Sequence, residues 1–125
     1  MVTTVATVLA GLIGAGVFFL GVVGLSAPRF AAGFGIPHTP TEDPTFRSWL
    51  AVKAVRDLGA GLFILIVLVG GSTHLLGWLV LAATVIPTGD ALIVLRGGGP
   101  RSAVYGVHGA TALAVLVVGV LLLVG

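Results

Sequence analysis

Four apolar stretches, each about as long as a membrane-spanning helix, occupy almost all of this 125-residue chain. They run over Thr4–Ser26, Phe46–Val69, Leu75–Leu95 and Ser102–Val124. A helix needs roughly 20 residues, at about 1.5 Å each, to cross a hydrocarbon layer of about 30 Å. Segments rich in glycine or proline, which end helices, separate the stretches. Two of these connections are very short, so the sequence predicts an all-α fold, an up-down bundle of four transmembrane helices.

The composition is typical of a protein in a bilayer and not of one in water. Hydrophobic residues make up 58% of the chain, charged residues only 8%, and the mean hydropathy is +1.23. A soluble domain carries about 25% charged residues. We therefore expect a single membrane domain, residues 1–125, whose first partner is the lipid bilayer. The basic residues are dispersed instead of forming a patch, so we expect no binding to nucleic acid.

The positions of the arginines predict how the bundle is oriented. Arg29 and Arg47 flank the first loop, and Arg96 and Arg101 flank the third, whereas the second loop and both ends of the chain carry no Lys or Arg. Cytoplasmic loops are enriched in Lys and Arg, so the first and third loops should be cytoplasmic and both termini extracytoplasmic. The first stretch has no basic residue before its apolar part, so we expect a retained helix and not a signal peptide. A bacterial cytoplasmic membrane is the expected location.

Five ionisable residues lie inside the apolar stretches: Lys53, Arg56, Asp57, Asp90 and His108. Counted from the nearest predicted cytoplasmic loop, they lie about 9–16 Å deep. A charge in the bilayer interior is unfavourable by roughly 2.5–3.5 kcal/mol on insertion scales, so such groups usually face one another. The sequence therefore predicts a buried polar site in the cytoplasmic half of the bundle.

The chemistry of these residues assigns provisional roles. Asp90 and His108 form a candidate acid–base pair, since imidazole titrates near neutral pH. The substrate-binding candidates are Trp49, Lys53, Arg56, Asp57 and Tyr105. At spacings of three or four, Trp49, Lys53 and Arg56 share one face of the second helix with Asp57 beside them, and Tyr105 shares a face of the fourth helix with His108. One buried histidine and two carboxylates would compete with two cations for the same space, so no metal and no cofactor are expected.

Three functional classes remain open from the residues alone. The polar site could bind a small lipophilic molecule or transform it by acid–base chemistry. The same residues could serve as the relay of a small proton-coupled transporter subunit, which would need a homodimer to form a pathway. The charged layer could instead only specify packing in an accessory or structural membrane protein. The sequence leaves open whether the protein is an enzyme.

Several short motifs resemble a known family. They are Gly33-Phe34-Gly35-Ile36-Pro37 after the first stretch, Val55-Arg56-Asp57-Leu58-Gly59 in the second, Asp90 late in the third and His108-Gly109 in the fourth. This pattern resembles a family of small four-helix integral membrane proteins of unknown function that is loosely DoxX-like. The resemblance covers almost the whole chain. It implies a four-span fold and no established reaction.

Overall fold

The structure is a computed structural model that describes residues 1–125. It is all-helical, with 85% of the residues in helix and no strand. The elements are α1 (Val2–Ser26), a 3-10 segment (Pro28–Phe34), α2 (Pro44–Gly70), α3 (Thr73–Ala83), α4 (Val85–Arg96), a π-helical segment (Ser102–Gly109) and α5 (Ala110–Val124). The all-helical prediction is confirmed.

Three of these helical rods are long and apolar enough to cross a membrane. They are α1, the α3–α4 pair over Thr73–Arg96, and the π segment joined to α5 over Ser102–Val124. Helix α2 is longer still, with 27 residues, but three charges between residues 53 and 57 interrupt it. Its uncharged part, residues 58–70, is shorter than the roughly 20 residues of a full span. The structure therefore has three candidate spans where the sequence predicts four.

Helices α2 and α3 each begin two residues before the start predicted from hydrophobicity, because polar side chains cap them. The Phe46 N–H donates to the Asp43 carboxylate at 2.8 Å, and the Leu75 N–H donates to the Ser72 hydroxyl at 3.1 Å. These bonds satisfy donors that the first turn of a helix leaves free. A hydropathy pattern does not register such caps, since the capping residues are polar.

Small residues bring α1 and α2 into close contact. A Cβ atom at Gly61 would lie only 2.6 Å from the carbonyl oxygen of Gly14, and one at Gly21 would lie 2.7 Å from that of Ala54. Such approaches are common between helices in membranes, where close van der Waals contact drives association. The main apolar core lies beside this contact and is formed by Ala6, Ala10, Ile64, Leu76, Val80, Val115, Val118 and Leu122.

The third predicted helix is interrupted at Thr84, between α3 and α4. Pro87 has no N–H to donate to the carbonyl of Ala83, so the ladder of hydrogen bonds fails at this point. The carbonyl of Thr84 instead accepts from both the N–H and the hydroxyl of Thr88, at 3.2 and 2.8 Å. The hydroxyl of Thr84 itself is buried without a hydrogen-bond partner.

A second, smaller apolar cluster forms where α4 meets the π segment. It contains Val94, Ala103 and Val104, and Phe34 of the 3-10 segment packs against it. The first connection of the chain thus folds back onto this end of the bundle. Asp90 lies between the two clusters along α3–α4, and His108 lies between them along the π segment and α5.

Candidate functional site

His108 is the most buried ionisable side chain of the protein, with only 7% of its surface exposed. Its Nε2 lies 2.7 Å from the carbonyl oxygen of Phe34, and the two rings are tilted with their centroids 4.3 Å apart. A carbonyl oxygen only accepts hydrogen bonds, so Nε2 must carry the proton. In the neutral imidazole, Nδ1 is then left with a lone pair and can act as a base.

The π segment decides which way His108 faces. Bonds from residue i to i+5 put more residues in each turn than an α-helix has. Ala103, Val104 and His108 therefore become buried together, whereas Tyr105 is 63% exposed. The sequence, assuming α-helical spacing, predicts that Tyr105 and His108 share a face, and this expectation is wrong. Segments of π-helix occur frequently at functional sites.

Lys53 and Asp57 form an ion pair one turn apart on α2. Lys53 Nζ lies 2.8 Å from a carboxylate oxygen of Asp57. The same ammonium group is 5.4 Å from the centroid of the Phe34 ring, within the range of a cation–π contact. Lys53 thus extends from α2 toward the ring that also packs on His108.

Asp90 differs from Asp57 because it has no direct partner. The groups that act on its carboxylate electrostatically are Lys53, His108 and Asp57. None of the basic groups lies within 4.0 Å of it, and it makes no hydrogen bond. Its side chain is half-buried within the span formed by α3 and α4. The carboxylate oxygens of Asp90 are therefore free to accept hydrogen bonds from another molecule.

Three of the sequence-predicted site residues point away from this group. The Arg56 guanidinium donates to the carbonyl of Val52 on its own helix at 3.3 Å, and the Trp49 side chain is 70% exposed. Tyr105 lines an open apolar groove of about 210 Å³ between α4 and the π segment. Neither Asp90 nor His108 lines that groove. Lys53, Asp57 and His108 lie near enough to Asp90 for their charges to act on it, and we call these four residues the polar layer.

Phe34 belongs to this site although sequence reasoning gave it no role there. Gly35, which follows it, has a φ of +107°, and a Cβ atom there would lie 2.6 Å from the Cβ of Ala103. Glycine readily adopts a positive φ, and its lack of a Cβ atom allows the close approach of Ala103. The signal available in the sequence was the glycine on either side of Phe34. It marks a tight backbone but does not reveal that the Phe34 carbonyl binds a histidine 74 residues later.

The protein has no group of three or more His, Cys, Asp or Glu side chains placed to hold a metal ion. The functional groups present are the Asp90 carboxylate, the His108 imidazole held through Nε2, and the Lys53 ammonium group, which Asp57 neutralises. This combination supports hydrogen bonding and proton transfer.

The fold and the polar layer define an all-helical protein with several candidate membrane spans and titratable groups among them. Comparison with protein families identifies the family of the chain. It belongs to the family described as Domain of unknown function (DUF4267), whose model matches residues 14–122. No curated protein and no solved structure matches the chain. The family match does not link the chain to DoxX proteins specifically, so that part of the resemblance stays a prediction.

Proposed function

We propose that this protein is a four-span membrane protein of one domain, in which α2 is the additional span and both termini are extracytoplasmic. The ion pair between Lys53 and Asp57 supports this assignment. Because Lys53 and Asp57 neutralise each other, Arg56 is the only unpaired charge of α2 beyond its first turn. Long basic side chains near a helix end reach back toward the interface, which lowers the remaining penalty.

The polar layer binds a small lipophilic molecule, and Asp90 with His108 supplies acid–base chemistry to it. The observation that carries this proposal is the free carboxylate of Asp90, half-buried within a candidate span. A buried charge without a partner is strongly unfavourable, so such residues are functional candidates by default. A bound molecule that donates a hydrogen bond would remove this penalty.

The same geometry favours one class of ligand. A carboxylate accepts hydrogen bonds, so the polar end of the ligand should carry a hydroxyl or an amine. Lys53 is already paired with Asp57 at 2.8 Å, which disfavours an anionic ligand as its partner. His108, held through Nε2 by the Phe34 carbonyl, keeps Nδ1 as the basic atom. The ligand would thus meet one acceptor and one base.

The substitution Asp90→Asn tests this function. The amide keeps the size of the side chain but removes its charge and its basicity. We expect the wild-type protein, purified in mild detergent, to carry a small molecule that solvent extraction and mass spectrometry detect. In Asp90→Asn this molecule should fall by about tenfold or more, since bonds to charged groups contribute about 1.5–3 kcal/mol.

Tyr105→Phe is the matched control, because Tyr105 lies on the outer groove and not in the polar layer. It should retain the molecule at the wild-type level. If Asp90→Asn retains the molecule as well as the wild type does, or if no molecule is enriched in the wild type, the proposed binding function is wrong.

A further inference from the structure

One face of α2 carries an arginine between two exposed aromatic residues. Trp49, Arg56 and Phe63 are seven residues apart, which places them in line on the helix. All three are exposed, with Phe63 at 62%. Between the last two lies Gly59, where an added Cβ atom would meet nothing within 4 Å. The face therefore has a shallow open position next to the guanidinium.

Arg56 is the one charge of α2 beyond its first turn that no carboxylate neutralises. Arg47, in the first turn, pairs with Glu42 at 3.2 Å and also donates to the carbonyl of Thr41. Lys53 pairs with Asp57. Arg56 has no carboxylate within 4.0 Å, and its only hydrogen bond goes to the carbonyl of Val52. The bond to Val52 is a neutral contact that leaves the positive charge without a counter-ion.

The guanidinium of Arg56 reaches back from within the hydrocarbon layer toward the headgroups. Helix α2, with 27 residues, is about 40 Å long, which exceeds a hydrocarbon layer of about 30 Å. Tryptophan is enriched at the membrane interface, so Trp49 marks the boundary. Arg56 lies about 10 Å deeper along the axis. Its bond to Val52 turns the guanidinium back toward that boundary, as expected of a long basic side chain.

We propose that Arg56 binds the phosphate of an anionic phospholipid. Charge complementarity carries the assignment: an unneutralised guanidinium faces the bilayer and is turned toward the headgroups, and its planar donors match two phosphate oxygens. Trp49 and Phe63 provide apolar surface above and below it, and Gly59 leaves room beside it. This lipid site rests on the proposed passage of α2 through the bilayer, but it lies on the outside of α2 and does not depend on the ligand proposed for the polar layer.

Titration with phosphatidylglycerol, followed by native mass spectrometry of the detergent-purified protein, tests the site. We expect Arg56→Gln to bind this lipid about tenfold more weakly than the wild type, as loss of a charge-assisted phosphate contact implies. Arg47→Gln removes the same charge from the same helix but from an arginine already paired with Glu42. It should bind within about twofold of the wild type.

Two further arms separate lipid from other occupants. Glycerol phosphate, which has the same phosphate chemistry without acyl chains, should not displace phosphatidylglycerol at equal concentration. Arg56→Lys keeps the charge but loses the planar fork, so it should fold like the wild type and bind about threefold more weakly.

Several results would overturn the lipid site. They are wild-type affinity in Arg56→Gln or Arg56→Lys, an equal loss in Arg47→Gln, and effective competition by glycerol phosphate. A wild-type dimer that Arg56→Gln converts to a monomer would show instead that this face binds a second copy of the chain.

Discussion

At the scale of single residues, the carboxylates Asp57 and Asp90 differ in what already binds them. Asp57 is held by Lys53 at 2.8 Å, whereas Asp90 makes no ion pair and no hydrogen bond. His108 is intermediate, since one nitrogen is bound to a backbone carbonyl and the other is not. The polar layer therefore combines one neutralised ion pair with two groups, the Asp90 carboxylate and Nδ1 of His108, that can still form hydrogen bonds.

Substitutions at His108 should separate its structural role from its chemical role. Glutamine keeps an N–H donor for the Phe34 carbonyl, so His108→Gln should lose no more than about 0.5–1.5 kcal/mol of unfolding free energy. Leucine has no donor and leaves that carbonyl unsatisfied, so His108→Leu should lose about 1–3 kcal/mol. Thermal or denaturant unfolding in detergent measures both. Equal stability of the two variants would mean that the bond to Phe34 contributes nothing.

The residues of the polar layer could be predicted because buried charge is unfavourable wherever it occurs. Lys53, Asp57, Asp90 and His108 were found on that basis. Arg56 could not be separated from them, since its outward direction follows from packing between α1 and α2. The role of Phe34 could not be predicted either, because it acts through its backbone carbonyl, and backbone groups are the same in every residue.

At the scale of the helices, contact between α1 and α2 depends on the absence of side chains at a few positions. Gly61 faces the backbone of α1, while Gly59, two residues earlier on the same helix, faces open space. The face of α2 that carries Gly59 therefore tolerates an added side chain, whereas the face that carries Gly61 does not. This difference provides a matched pair of substitutions.

Gly61→Ala should destabilise the protein by about 1–3 kcal/mol, because its Cβ atom would come within 2.6 Å of the Gly14 carbonyl oxygen and force the helices apart. Gly59→Ala should be neutral or stabilising by up to about 1 kcal/mol, since alanine favours the helix and meets no neighbour. Unfolding of the two variants in the same detergent measures the difference. Equal effects would show that α1 and α2 are not packed this closely.

The helix positions followed from hydropathy, whereas two details of their geometry did not. The interruption at Thr84 has a cause visible in the sequence, the missing donor of Pro87. The π segment has no comparable signal, because no residue type requires bonding from i to i+5. The prediction that Tyr105 and His108 share a helical face was wrong for that reason.

At the scale of the whole molecule, the topology depends on whether α2 crosses the bilayer. Beyond Arg47 in its first turn, its charges fall in one short segment, residues 53–57, and the 13 residues that follow are uncharged. If α2 crosses, the arginines at both ends of the first and third connections lie on one side of the membrane. The main apolar core then occupies the half of the bilayer that contains the chain ends.

Single cysteines should report this topology cleanly, because the chain contains no cysteine of its own. In Thr45→Cys and Ser102→Cys, an impermeant maleimide should label the protein only after the cells are permeabilised. In Thr73→Cys it should label intact cells. Labelling of positions 45 and 73 from the same side would rule out a membrane-crossing α2.

The π segment lets this end of the rod differ in length without turning His108 away. A π turn holds the equivalent of one extra residue within an otherwise α-helical rod. If one residue between positions 102 and 107 were removed, the segment would become regular α-helix and would turn the chain through nearly the same angle, since an α-helix has fewer residues in each turn. His108 and the residues from Val115 onward would keep their direction against the neighbouring helices. Relatives that are one residue shorter in this segment should therefore retain the polar layer.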